Sequence, residues 1–145
     1  MRKLNRLMIG FGFAWITFWS VFGTLLGAQK HARFQIGDSQ WIDSWQNQLL
    51  RSAHAHMNSM GMTIILMGLS LSYLISKVPN RVILICGLGN IISVVLFGVS
   101  IVIESYFTPS VGLIHWSRLF VALSAFGYIL TIGSWSCFFL AKILK

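Results

Sequence analysis

The chain has 145 residues, of which 56% are hydrophobic and only 10% are charged, so it carries too little polar surface for a soluble domain. Its formal net charge is +8. The basic residues lie at the ends of apolar runs and not on one polar face, which excludes nucleic acid as the expected partner. This composition indicates a lipid bilayer as the partner.

Four uncharged runs are each longer than the roughly 20 residues that a helix needs to cross the hydrocarbon core. In chain order they are Leu7–Gln29, Ser52–Ser76, Val82–Ile103 and Leu119–Ala141. The sequence therefore predicts a single domain over residues 1–145, an all-α integral membrane protein built as a four-transmembrane-helix bundle.

The segments around these runs carry a few local signals. Gly23 and Gly27 in the first span have the spacing that lets two helices approach closely. Trp41 and Trp45 in the first connection, flanked by acidic residues, predict a short amphipathic helix lying at the membrane interface. The second connection is a tight turn, and the third, between Glu104 and Arg118, is an irregular aromatic segment.

The distribution of basic residues predicts the orientation of the bundle. Seven lie on the side of the termini and the second connection, and four lie on the other side. The first group is Arg2, Lys3, Arg6, Lys77, Arg81, Lys142 and Lys145, and the second is Lys30, Arg33, Arg51 and Arg118. By the positive-inside rule both termini are cytoplasmic.

Polar residues gather in the non-cytoplasmic half of the predicted bundle. All four histidines belong to that half, namely His31, His54, His56 and His115. Polar groups inside transmembrane helices normally face the bundle interior or a functional site. We therefore expect any chemistry at this end.

The second span presents two different stripes. Positions two apart on a helix point about 200° apart, so His54 and His56 cannot bind one metal ion from the same face. The stripe of His54 is small and polar, suited to close approach by a helix or a flat ring, and the stripe of His56 adds thioethers suited to soft metal ligation. The members are His54, Asn58, Gly61, Ile65, Gly68 and Ser72 in the first, and His56, Met60, Thr63 and Met67 in the second.

Several classes of site are compatible with histidines in a membrane span. A zinc or di-metal site needs three or four converging ligands, and a Ser-His-Asp site needs an acid near the histidine; neither pattern is present in sequence. Haem needs one axial histidine, apolar walls and cations for its propionates, for which Arg51 and Arg118 are candidates. The residue pattern leaves haem binding and simple interfacial hydrogen bonding by His54 and His56 both open.

Three features together resemble the styrene oxide isomerase family: Ser52-Ala-His54 followed by Gly61-Met62, the stretch from Ser105 to Leu113, and the four-span layout with a long first loop. The resemblance implies a membrane-embedded homotrimer that binds haem b. Its ferric iron would act as a Lewis acid on an epoxide oxygen, and a 1,2-hydride shift would give a carbonyl compound. The motif assigns the axial, metal-ligating histidine to His54.

The chain departs from that family at two active-site positions. The family's asparagine, six residues after the axial histidine, falls on Met60, and its tyrosine falls on Val102. Asn58 and Tyr106 lie nearby in the sequence, out of register. They are the candidate catalytic residues, as the nearby residues of the two types that the family uses.

A second resemblance concerns the segment from His54 to Gly61, which is similar to the His-Ala-His-x-Asn-x-x-Gly signature of small bacterial four-span proteins that are similar to fragments of haem-copper oxidase subunit one. It implies a location in the bacterial inner membrane and also favours haem binding. The expected cofactor-binding residues are His54, His56, Arg51, Met60, Gly61 and Arg118.

Three functions follow from these signals. The first is a haem b isomerase whose substrate is a small apolar oxygenated molecule arriving through lipid. The second is a non-catalytic haem module, either a gas or redox sensor or an accessory subunit of a respiratory oxidase, in which His56 or Met60 closes the sixth iron position. The third is a haem-free structural membrane protein.

Overall fold

The computed structural model describes residues 1–74, 78–107 and 116–143, and these are almost entirely helical. The helices are α1 (Arg2–Gln35), α2 (Ser39–Ile42), α3 (Trp45–Leu74), α4 (Asn80–Ser105) and α5 (Trp116–Ile143). Four of them, α1, α3, α4 and α5, are long and apolar enough to cross a membrane. The predicted helical class with four membrane-spanning candidates is confirmed at this level.

Helices α1 and α3 continue well beyond the apolar runs that identify them. The 34 residues of α1 make a rod of about 50 Å, against a hydrocarbon core of about 30 Å. Lys30 and Arg33 therefore lie on the last turns of a helix and not in a loop, and Arg51 lies within α3. The extra turns place basic side chains on a rigid scaffold at the end of the bundle opposite the termini.

The first connection is more compact than the interfacial helix that its tryptophans predict. Gly37 reverses the chain at a φ of 72°, where a side chain would be strained. Asp38 caps the single turn of α2 and forms a 2.9 Å ion pair with Arg33. Arg33 also lies 5.9 Å from the centre of the Trp41 ring, and Trp45 is already the first residue of α3. The connection is thus a tight corner that Arg33 stabilises through its contacts with Asp38 and Trp41.

The four long helices pack as a series, α1 against α3, α3 against α4, and α4 against α5. The core between them is apolar and rich in methionine. Its most deeply buried members are Met8, Met57, Ile64, Leu71, Leu74, Ile83 and Val94. Large apolar side chains remain exposed on all four helices, as expected of surfaces that contact lipid.

Glycines bring α1 and α3 close together along the small stripe of α3. A Cβ at Gly61 would overlap Ile16, one at Gly12 would approach the Gly61 carbonyl oxygen, and one at Gly68 would crowd Ile9. This stripe suits either another helix or a flat ring, and α1 packs against it at Gly61 and Gly68. At the His54 end of the stripe, the imidazole ring lies between the two helices.

Candidate functional site

His54 is held against α1 by a hydrogen bond to main-chain carbonyl oxygen. Its Nδ1 lies 2.7 Å from the carbonyl oxygen of Trp19. The imidazole rests directly on Gly23, because a Cβ at that position would overlap three atoms of the ring. The glycine in α1 is therefore what lets a histidine of α3 reach the carbonyl one turn earlier.

This hydrogen bond determines which nitrogen of His54 carries the hydrogen. A carbonyl oxygen only accepts, so Nδ1 must carry the hydrogen. In the neutral ring Nε2 then holds a lone pair. A histidine whose Nδ1 donates to a carbonyl while its Nε2 keeps a lone pair has the arrangement found in metal-ligating histidines.

The His54 ring lines a pocket of about 300 Å³ between α1 and α3. We call it the His54 pocket. Its floor on α1 is made of Gly23, Leu26 and Gly27, and Lys30, Asn47, Arg51 and His54 complete it. The spacing of Gly23 and Gly27 predicts helix contact, but only Gly23 is covered, by the imidazole, and nothing lies within 4 Å of a Cβ at Gly27.

Two positive charges, those of Lys30 and Arg51, line this pocket. At this end of the bundle Arg33 is paired with Asp38 and Arg118 with Glu104. Lys30 and Arg51 form no ion pair with any described residue. These two side chains give the His54 pocket a positive charge, which favours an anionic group.

Asn47 adds a buried amide to the same pocket. Its side chain is 0% exposed, and its Nδ2 donates to the carbonyl oxygen of Ile42 in the corner before α3. Its Oδ1 has no partner among the described residues. Leaving such a group unpaired typically costs about 1–3 kcal/mol, so Asn47 adds an unsatisfied buried acceptor next to the pocket.

Asn58 lies one turn along α3 from His54 and against the same ring. Its Nδ2 is 3.5 Å from both ring nitrogens, and its Oδ1 has no partner among the described residues. At that distance the contact is weak. Asn58 thus lies beside the candidate ligand, in a place suited to positioning the imidazole.

His56 and Met60 lie apart from the His54 pocket. The His56 ring is exposed and meets Phe97 of α4 edge-on, with 6.5 Å between ring centres. Met60 is buried in the apolar core. The prediction that the two histidines occupy different faces agrees with this placement, since His54 faces α1.

Two further predicted residues line other pockets. Arg118 pairs with Glu104 and lines a pocket between α3, α4 and α5. Tyr106 is 70% exposed and lines a surface pocket with Ser44, Gln46 and neighbours. Neither residue lines the His54 pocket, so within one chain Asn58 and Tyr106 do not come together there.

Some of the residues that the sequence analysis singled out lie outside the part of the chain that the structure describes. His115 and most of the outer stretch that resembles the isomerases lie outside the described residues. Within the described ranges no three His, Cys, Asp or Glu side chains converge as a metal site would require. A ligand set made of protein groups alone therefore has no support there, whereas a haem needs only one histidine.

Sequence reasoning missed Leu26, Lys30 and Asn47 as residues that line the His54 pocket, and it missed the Trp19 carbonyl as the partner of His54. The sequence indicates Lys30 only as one of the basic residues that predict orientation, and Asn47 lies before the second apolar run. Every residue has a backbone carbonyl, so a sequence does not indicate which carbonyl accepts a side-chain hydrogen bond. The pairing of Gly23 with His54 could be found only by placing α1 beside α3.

Comparison of the chain with protein-family models, with curated proteins and with solved structures finds no match.

Proposed function

We propose that the protein is a membrane haem b protein with His54 as the axial ligand. The observation that carries this proposal is the bond between His54 Nδ1 and the Trp19 carbonyl, which leaves Nε2 as a lone-pair donor beside a cationic pocket. The resemblance to the styrene oxide isomerases, which assigns the axial position to the same residue, supports it independently.

Two side chains beside His54 suit the propionates of the group. Lys30 and Arg51 would bind the propionates, since both line the pocket and neither is ion-paired with a described residue. The pocket volume is at the lower end for ligand sites, so a bound macrocycle has to extend out of it. A site shared between chains of the proposed homotrimer would accommodate that.

His56 and Met60 are not placed beside His54. His56 meets Phe97 of α4 and Met60 lies in the apolar core, so neither would reach a group held by His54 in the same chain. Bound ferric haem would supply a Lewis-acidic iron for a neutral oxygen ligand. We therefore propose redox-neutral isomerisation of a small apolar epoxide, with a non-catalytic haem sensor or oxidase accessory subunit as the alternative.

Absorption spectra of two matched variants test the haem ligand. His54→Ala should abolish the Soret band while the protein remains in the membrane, because the lone pair is removed. His56→Ala should keep the band, since its ring contacts Phe97 on another face. A Soret band retained in His54→Ala, or lost only in His56→Ala, contradicts the assignment.

The reaction is tested separately on the haem-loaded protein. An open ferric site should be high-spin and should shift when imidazole or an epoxide is added. Aryl and alkyl epoxides should then give carbonyl products, slowly, since Met60 and Val102 replace the family's hydrogen-bonding pair. A responsive haem that forms no carbonyl product from any epoxide of the panel leaves the sensor or accessory-subunit function.

A further inference from the structure

A second pocket lies between α3, α4 and α5, and it shares no residue with the His54 pocket. Its volume is about 280 Å³. Its walls are almost wholly apolar, with one charged pair: the lining residues are Trp45, Leu49, Ile101, Glu104, Arg118, Val121, Ala122 and Ala125. An apolar cavity with few convergent polar groups is the usual form of a small-molecule site.

The charged pair in this pocket is a fixed structural element. Arg118 Nε donates to Glu104 Oε1 at 2.7 Å, and Glu104 is only 4% exposed. Breaking a buried ion pair of this kind is costly. The bond to Glu104 therefore favours one position of the Arg118 guanidinium at the edge of this pocket.

Arg118 nevertheless has hydrogen-bonding capacity left over. A guanidinium carries five N–H donors, and the bond to Glu104 uses the one on Nε. The Nη donors make no hydrogen bond to a described residue. Because Glu104 already neutralises the positive charge, these donors suit an uncharged acceptor oxygen better than an anion.

We propose that this pocket binds a small lipophilic molecule that carries one neutral acceptor oxygen, such as a ketone, an ester or an epoxide. The oxygen accepts from Arg118, and the apolar body lies against Ala122 and Ala125, whose small side chains leave the space. The volume is enough for a single ring or a short chain. This site is independent of the proposed haem.

Ligand binding is measured by fluorine NMR on the full chain in nanodiscs of ether-linked lipid, which contain no ester carbonyl to compete. The probe is a fluorinated acetophenone, and its control is the ethylbenzene of the same shape without the oxygen. We expect saturable binding of the ketone and at least tenfold weaker binding of the hydrocarbon, because a hydrogen bond to a charged donor is lost. Equal binding of both overturns the proposal.

Three variants locate the site. Ala125→Leu fills the cavity and should abolish saturable binding, whereas Ala14→Leu, on an exposed face of α1, should not. Arg118→Lys retains the charge opposite Glu104 but loses the planar guanidinium with its fixed donors. It should weaken binding of the ketone roughly tenfold and leave binding of the hydrocarbon unchanged. Circular dichroism melting verifies that each variant is folded.

Two outcomes separate this site from the haem. His54→Ala should leave ketone binding intact, since His54 does not line the pocket. Loss of ketone binding in that variant would place the ligand at the haem instead and overturn the proposal. So would loss of the Soret band in Arg118→Lys, because Arg118 would then belong to the haem site.

Discussion

The orientation of His54 depends on a residue that has no side chain. The imidazole lies on Gly23 and reaches the carbonyl oxygen of Trp19, which is in the same helix as the glycine. A single methyl group at this position would displace the ring and break the bond. Gly23 therefore links the packing of two helices to the tautomer of the candidate ligand.

Replacing this glycine tests the link. Gly23→Ala should lower the free energy of unfolding by about 1–3 kcal/mol, since the new Cβ overlaps the His54 ring, and it should weaken or abolish the Soret band. Gly10→Ala is the matched control on α1, because nothing lies within 4 Å of a Cβ there. Thermal unfolding in detergent and the absorption spectrum measure both effects. Identical behaviour of the two variants would contradict the described packing.

Helix α5 is held in the bundle by polar contacts as well as by apolar packing. Asn90, which is fully buried in α4, donates from Nδ2 to Oγ1 of Thr131 at 2.8 Å. Trp135 donates from its indole nitrogen to Ser70 of α3 at 3.0 Å. Lipid competes for none of these bonds, so they favour one register of α5 against its neighbours.

The Asn90 bond can be tested by removing one partner or both. Thr131→Val should lower the free energy of unfolding by about 1–2 kcal/mol, because it leaves the buried amide of Asn90 without a partner among the described residues. The double variant Asn90→Leu with Thr131→Val should recover part of that loss, since no polar group is then left unpaired.

A matched control for this pair is Thr17→Val. The Thr17 hydroxyl donates to the carbonyl oxygen of Phe13 within its own helix and is exposed. Thr17→Val should therefore change the free energy of unfolding by no more than about 0.5 kcal/mol. Unfolding in a denaturing detergent gives the three free energies. A double variant less stable than Thr131→Val alone would contradict the role of the buried amide.

For the molecule as a whole, orientation in the membrane determines where the His54 pocket opens. With four long helices in alternating directions, both termini lie at the end opposite this pocket. The excess of basic residues at the terminal end, seven against four, predicts that this end is cytoplasmic. The proposed ligand would then enter from the lipid or from the outer side.

Reporter fusions test this orientation in a bacterial inner membrane. Alkaline phosphatase fused to the C-terminus should be inactive, and a fluorescent protein fused there should be bright. The same phosphatase inserted in the corner after Asp43 should be active, because the corner lies at the other end of the bundle. Reversed activities would invert the molecule and place the His54 pocket on the cytoplasmic side.

The sequence alone determined the helical class, the four spans and the separation of His54 from His56. These properties are local. A run of apolar residues longer than the hydrocarbon core has to form a helix in lipid, because every backbone polar group must be paired internally. The helical rotation of about 100° per residue likewise fixes the angle between two neighbouring histidines without reference to any other segment.

Only the tertiary structure decided which groups meet at each pocket. The Trp19 carbonyl and Gly23 reach His54 across more than 30 residues of chain, and Lys30 joins Arg51 while Arg118 lies with Glu104 in another pocket. These contacts depend on the rotation and register of α1, α3 and α5 relative to each other. Glycine contacts and interlocking side chains set that register, and a one-dimensional pattern of hydrophobicity does not contain it.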